Sequence, residues 1–430
     1  MNSAHITNEI IPALQAAAEI DTYQLNITVN HMVKSGFINS DFGGIYRPVI
    51  NAKTEGVEFR VALQDGRSSV GSAPLGIKPE ELLAQIMASA HQSADPIVFA
   101  SKTEGLPMVK LVDEAIHNVL NSNPEEVSKL TKELQSQQLM LGHELVAGGV
   151  KLISQQRRLI SSIGVDMSES TTRQSMFAYY EDRLGVGLAK RSFFTPDKLK
   201  EYSTTMSDYM RQLTATPAKL ASGRYPILLD AQEGWGLLNK FVLGNLNGRT
   251  IDAGQSRFKL DDFKKSRAIA HPGLTLHYNQ RKAMSTESFN FSTQGVPSQE
   301  FTLIQDGQLT EPICNLQIAK KLGFRARALT SLVSMDVDQR SYDDFISKNP
   351  TFILVFGVMG IHTAKTELGH YSLPAPDALL IRDGVVVGPV SCILSGNFFD
   401  VLMQPSTEFI DASHMFEYPA LTFETQVTVK

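Results

Sequence analysis

Two cysteines and one tryptophan in 430 residues set the first limits on this chain. Cys314 and Cys392 lie far apart with no CxxC partner. Two are too few for a disulfide framework or a cysteine-rich zinc module, and both are expected to serve as small buried hydrophobes. No run approaches the ~18 apolar residues of a membrane helix; the longest, 352–359, has the length of a strand and is broken by Gly357. The opening Met1-Asn2-Ser3-Ala4-His5 lacks the basic and apolar regions of a signal peptide, so a cytoplasmic location without membrane attachment is expected. A basic excess is also missing: 40 Lys and Arg face 45 Asp and Glu, for a net charge of −5. That gives no footing for direct, sequence-independent nucleic-acid binding.

Several catalytic signatures are absent as well. There is no Gly-x-Ser-x-Gly elbow and no glycine-rich phosphate cradle of either standard spacing. His143-Glu144 begins a zinc-protease motif that then fails, because the positions four and five after His143 are Ala147 and Gly148. The basic run Lys264-Lys265-Ser266-Arg267 follows Asp261-Asp262 and reads as a solvated face of mixed charge.

What the chain does carry is a globular balance, 42% hydrophobic and 20% charged, over a length that suits two or three domains. A helical spacing over 10–20 precedes a β-rich tract. Residues 23–29 and 57–63 alternate with period two, and Asp65-Gly66 predicts a hairpin into 68–73. Helices are predicted over 79–93, 110–120, 124–138 and 198–220, and strands over 145–164 and 175–190. The segment 221–226 is the best boundary signal. Beyond it come a short strand at 227–229, a glycine-weakened helix over 231–246, then mostly strands and turns from 274, with a short helix at 397–403.

One local constellation could hold a metal. His362 and His370 flank a loop that includes Glu367. Folded as a hairpin, the two imidazoles and the carboxylate could converge as a catalytic zinc site, although the spacing matches no standard motif. His271 and His277 are weaker candidates.

The C-terminal half carries a resemblance. Its pieces are Ile251-Asp252-Ala253-Gly254-Gln255-Ser256, Gln294-Gly295-Val296-Pro297 followed by Leu303-Ile304-Gln305-Asp306-Gly307, the loop over 357–372, and Pro389-Val390 leading to Ser395-Gly396-Asn397. In the N-terminal half, Arg60-Val61 through Gly71-Ser72-Ala73 and Ser161-Ser162-Ile163-Gly164 through Thr172 are collinear with it. The ensemble resembles the TldD/PmbA family, in particular its PmbA (TldE) branch. The resemblance implies a two-domain α+β fold. It also implies zinc peptidases of the TldD type and PmbA-type partners that together process unfolded peptides, among them microcin precursors and an antitoxin. An older label for such proteins is modulator of DNA gyrase.

In TldD-type members a helix carrying His-Glu-x-x-x-His follows the strand that matches 227–229. By position, that motif falls on Asn239-Lys240-Phe241-Val242-Leu243-Gly244. Asn239 and Gly244 replace the two ligands, and Lys240 places a positive charge where a general base would stand. The chain also departs from PmbA, with Ser292-Thr293-Gln294-Gly295 where relatives tend to be acidic and Gly369-His370-Tyr371-Ser372 where Gly-Asp is frequent.

The expectations are therefore an α+β fold of two domains, 1–221 and 222–430, each with largely antiparallel strands and packed helices. The chain is expected to be a PmbA-like component of a peptidase system, without its own metal or cofactor. Zinc would sit on a TldD-like partner subunit, or the chain would pair with itself, and an extended peptide would be the substrate. Two rivals remain at this point. One is a stand-alone metallopeptidase with a relocated site at His362, Glu367 and His370; the other is a regulatory binding protein for a DNA enzyme.

Overall fold

The structure, a computed structural model, describes residues 4–38, 45–92, 96–101, 107–140, 145–180, 183–193, 204, 208–209, 211–328, 335–412 and 419–429. His143 and Glu144 lie outside these.

Seven strands form the first sheet: β1 Ile20–Ile38, β2 Ile45–Leu63, β3 Arg67–Pro74, β4 His91–Gln92, β5 Leu145–Ser161, β6 Asp166–Tyr180 and β7 Arg183–Lys190. They run antiparallel in the order β4-β3-β2-β1-β5-β6-β7. The period-two pattern explains their placement. Leu25, Ile27, Phe59 and Val61 point to one face and are buried against Ile6, Ile10 and Leu14 and against the helix Pro79–Ser89. Further along the same face, Val33, Val150, Leu152 and Met176 pack under the helices Glu114–Ser122 and Glu126–Met140. The opposite face presents Gln24, Asn26, Thr28 and Asn30 from β1. The Asp65-Gly66 hairpin forms as the sequence predicts, with Gly66 at φ 83.

The second half begins at β8 Gly223–Leu229. A small sheet follows, built from β9 Leu276–Asn279, β10 Glu300–Gln305, β11 Gln308–Leu309 and β12 Met335–Asp336, in the order β11-β10-β9-β12. The remaining strands are β13 Gln339–Ser341, β14 Thr351–Gly357, β15 His370–Arg382, β16 Val385–Asn397, β17 Glu408–Asp411 and β18 Ala420–Val429. With β8 they form a seven-stranded sheet, β13-β17-β18-β16-β15-β14-β8. Because β18 also pairs with β8, the strands β8, β14, β15, β16 and β18 close into a ring of pairings. On one face of it Ile227, Leu229, Ile353 and Phe423 are buried with Leu237, Phe241 and Val242 of the helix that follows β8. On the other, Leu228, Phe352 and Leu354 pack with Leu213 and Phe345. Burying each such side chain contributes about 1.5–3 kcal/mol, so the post-β8 helix is held mainly by its apolar face.

The α+β class with largely antiparallel strands is as expected; β8–β14 and β13–β17 are the parallel exceptions. Other details differ. The helix predicted to reach 220 ends at 213. Pro217 lacks a backbone N–H, and Ala218 N–H instead donates to Pro389 O at 2.9 Å. Among the strands of the second half stand short helices at Gly248–Asp252, Leu260–Lys264, Leu316–Leu322 and Tyr342–Lys348. Asn247, Asn315 and Ser341 cap three of them through side-chain oxygens; these runs of five to seven residues are too short to show periodicity.

Buried polar groups join the two halves. Arg191, 7% exposed, donates to Ser285 O at 2.6 Å, Thr286 O at 3.0 Å and Ser288 O at 2.6 Å, and to Thr172 O at 3.2 Å. Burial pulls its guanidinium down to about 10, so it stays charged at neutral pH. Glu169 accepts from Asn290 N–H at 2.7 Å and pairs with Arg157, which also donates to Phe291 O.

Candidate functional site

Asp230 ends β8 and caps the next helix, its Oδ1 accepting from Gln232 N–H at 2.7 Å. The helix runs through Ala231–Leu237, widens to an i→i+5 turn over Leu238–Leu243, and closes with Gly244–Leu246. Such widened turns are local insertions that often mark functional positions. Asn239 and Lys240 lie within it.

The loop joining β14 to β15 crosses this helix. It turns at Gly360 (φ 90), passes through a short helical turn Ile361–Thr363, and re-enters the sheet after Gly369 (φ 73). Three residues spaced four apart meet it. At Gly236 an added Cβ would stand 3.3 Å from Ile361 Cδ1. Lys240 Nζ donates to the carbonyl of His362 at 3.2 Å. At Gly244 an added Cβ would stand 2.8 Å from Thr366 Cγ2. Gly244 is right-handed helical, φ −57 and ψ −37, so the backbone does not require glycine there; the approach of Thr366 does.

Asn245, fully buried, completes the seam. Its Nδ2 donates to Phe241 O at 2.8 Å and to Thr366 O at 2.9 Å, while its Oδ1 accepts from Arg257 N–H at 2.6 Å. From the far side, Asn397 Nδ2 donates to Leu368 O at 2.9 Å and Phe398 N–H to Gly369 O at 2.8 Å. The loop is thus fixed along its length by backbone carbonyls accepting from side chains and backbone of its neighbours.

The structure therefore brings together the two regions singled out in the sequence, the degenerate motif positions and the 362–370 loop, but through backbone rather than metal-ligand chemistry. His362, Glu367 and His370 are all exposed. Among the described residues no three His, Cys, Asp or Glu side chains gather closely enough to hold a metal ion, so His362, Glu367 and His370 form no such group. Nor do the residues at 239, 240 and 244 fit zinc. Glycine offers no donor, lysine repels a cation, and Thr366 fills the space a ligand side chain at 244 would need.

The remaining candidates have structural partners. His271 Nε2 is 2.8 Å from Thr407 O and its Nδ1 accepts from Gly273 N–H; His277 Nδ1 is 3.1 Å from Thr302 Oγ1. Cys314 and Cys392 are buried free thiols, as expected, and burial raises both to about 11. Arg267 pairs with Asp262 within the solvated basic run.

A carboxyl pair at the start of the helix had no signal in the sequence. Burial pushes Asp230 up to about 6. Glu233 rises to about 7, first through burial and then through the charge of Asp230, against a hydrogen bond from the Val358 backbone. A carboxyl near neutrality suits proton transfer; among the described residues the pair belongs to no group of three or more metal-ligating side chains.

A seven-stranded antiparallel sheet, a second seven-stranded sheet with the post-β8 helix packed on one face, and a strand-connecting loop seated on that helix define an α+β frame. Residues 222–424 match the family described as PmbA/TldA metallopeptidase C-terminal domain. Over this segment the chain is similar to the TldD/PmbA family. Solved structures share its fold over nearly the whole length. A protein described as a candidate modulator of DNA gyrase from Bacteroides thetaiotaomicron aligns with a TM-score of 0.80 at 18% identity, over 100% of this chain and 99% of that one. TldE from Thermococcus kodakarensis gives 0.78 at 14% identity, over 98% and 99%. A candidate modulator of a DNA gyrase from Thermotoga maritima gives 0.77 at 17% identity, over 95% and 96%. No curated protein sequence matches the chain. Among the described residues no helix is long and apolar enough to cross a membrane.

Proposed function

We propose that this chain is a PmbA-like, non-catalytic component of a cytoplasmic TldD/PmbA-type peptidase system. The observation that carries the reading is the stripe Gly236, Lys240 and Gly244. At the positions that correspond to a zinc-binding helix, the side chains dock a loop, and the docked loop occupies the space of a ligand. A helix committed to packing in this way has no vacancy for metal-activated water. The chain then supplies structure: it pairs with a zinc-bearing TldD-like subunit, or with a second copy, and helps to hold an extended peptide. Strand-rich halves suit that task, since backbone pairing grips a peptide with little sequence preference.

The test is a cleavage assay on unfolded peptides with the chain alone, with a TldD-type subunit alone, and with both. Activity that requires the second subunit and is raised or redirected by this chain is expected. Robust cleavage by the chain alone, abolished by a chelator, would sink the reading.

A further inference from the structure

The polar face of the first sheet holds a cavity of about 520 Å³ that the peptidase reading does not use. Its origin is visible in the strand register. Gly56 of β2 lies opposite Thr28 of β1 and Pro74 of β3, and offers no side chain to that face. Around the gap stand Asn26, Thr28, Glu58, Ser72 and Gln155, while Thr293 of the second half closes one end.

The lining is rich in acceptors. Asn26, only 4% exposed, donates Nδ2 to Glu58 Oε2 at 3.1 Å. That bond fixes the amide orientation, because a carboxylate can only accept. Asn26 Oδ1 is then left buried without a partner. A native structure rarely leaves such an oxygen unsatisfied, so something that donates hydrogen bonds belongs there. Glu58 faces Asn26 directly across the β1–β2 pair, and Glu55 lines the same cavity. Neither carboxylate joins an ion pair among the described residues. The cation of the lining, Arg157, is engaged through its Nη2 by Glu169 and by Phe291 O, and its guanidinium lies 4.5 Å from the centre of the Phe291 ring, while its Nε is buried without a partner.

We infer that this cavity binds a primary ammonium group, seated between Asn26 Oδ1 and the Glu58 carboxylate. An ammonium is a compact point charge with three donors and no acceptor, which matches an unpartnered amide oxygen beside an unpaired carboxylate. A neutral polyol could donate to Asn26 Oδ1 but would not answer the charge of Glu58, and an anion would be repelled by Glu55 and Glu58. The volume exceeds an ammonium alone, so the group arrives on a larger body: the amino terminus or a lysine side chain of a peptide, or a free polyamine.

Calorimetric titration of the full chain tests this with four probes: spermidine, trialanine, N-acetyl-trialanine and N-acetyl-lysine amide. Binding of one or more ammonium-bearing probes is expected, with N-acetyl-trialanine inert; which probe binds most tightly identifies the source. Glu58→Gln retains an acceptor for Asn26 Nδ2 but removes the charge, and is expected to weaken binding about tenfold or more. Gly56→Val fills the hollow from a backbone that is not left-handed, and is expected to abolish binding while the thermal transition is retained. Absence of binding by every ammonium probe, equal binding of N-acetyl-trialanine, or affinity unchanged in a folded Glu58→Gln would overturn the inference. None of these outcomes depends on whether the chain takes part in peptide cleavage.

Discussion

The seam between Gly244 and Thr366 yields a change of sign that contact deletion alone would not. Replacing a helical glycine by alanine ordinarily stabilises by about 1 kcal/mol, through lower unfolded-chain entropy and better helix propensity. Here the new Cβ would stand 2.8 Å from Thr366 Cγ2, well inside an ordinary contact. Overpacking of that kind costs about 1–3 kcal/mol. The net effect of Gly244→Ala is then a loss of about 1 kcal/mol. Thr366→Ala removes Cγ2 yet keeps the carbonyl that accepts from Asn245. In that background the next nearest atom to the new Cβ is Asn239 O at 3.7 Å, so Gly244→Ala is expected to stabilise by about 1 kcal/mol. The coupling across the double-mutant cycle is therefore about 2 kcal/mol. The single tryptophan, Trp235, lies on this helix and stacks on Phe409 at 6.1 Å, so urea unfolding followed by its fluorescence reads the relevant half of the molecule. Additive effects, or a Gly244→Ala that stabilises equally in both backgrounds, would refute the reasoning that Thr366 is what demands glycine.

Other consequences follow from the same coordinates. Arg191→Ala strands four carbonyls that it now holds; a loss of about 3 kcal/mol or more is expected, with faster amide exchange over 284–290 as the local sign. The carboxyl pair sets a pH dependence. Glu233 has a folded value near 7, above the ordinary 4.5, so its protonated form favours folding, and that contribution is present below about 4.5 and lost as pH rises through 7. Glu233→Gln is therefore expected to be more stable than the parent at pH 8, by about 1–2 kcal/mol after allowing for solvent contact, with the gap closing by pH 4.5 in parallel urea titrations. Asn245→Ala removes both bonds that fasten Phe241 and Thr366 and is expected to cost about 2–3 kcal/mol, read by the same tryptophan transition.

Much of the frame was legible in the sequence because its signals are local. Period-two alternation over 23–29 and 57–63 placed β1 and β2, and Asp65-Gly66 supplied the turn from β2 into β3. Short capped helices such as Leu316–Leu322 escaped, since seven residues give two turns and a cap at Asn315 looks like any polar loop residue. The site divides in the same way. Asn239, Lys240 and Gly244 were legible as a missing zinc motif, which is a statement about residue types. What replaces the metal was not, because Thr366 and Ile361 reach the helix from more than a hundred residues away. Only the spacing of Gly236, Lys240 and Gly244, one helical turn apart, hinted that something packs on that face. Asp230 and Glu233 gave no signal, since an acidic pair at a helix start is ordinary capping until burial raises it.

The central claim is that this helix docks a loop where the resemblance implies a zinc motif, and metal content tests it most directly. The full chain, purified without added metal, then equilibrated with zinc and passed through a desalting column, should retain well under one equivalent by elemental analysis. Substituting Lys240 should not change that. One zinc per chain, retained through desalting and lost on His370→Ala or Asn239→Ala, would contradict the account and favour a metal-bearing, catalytic chain.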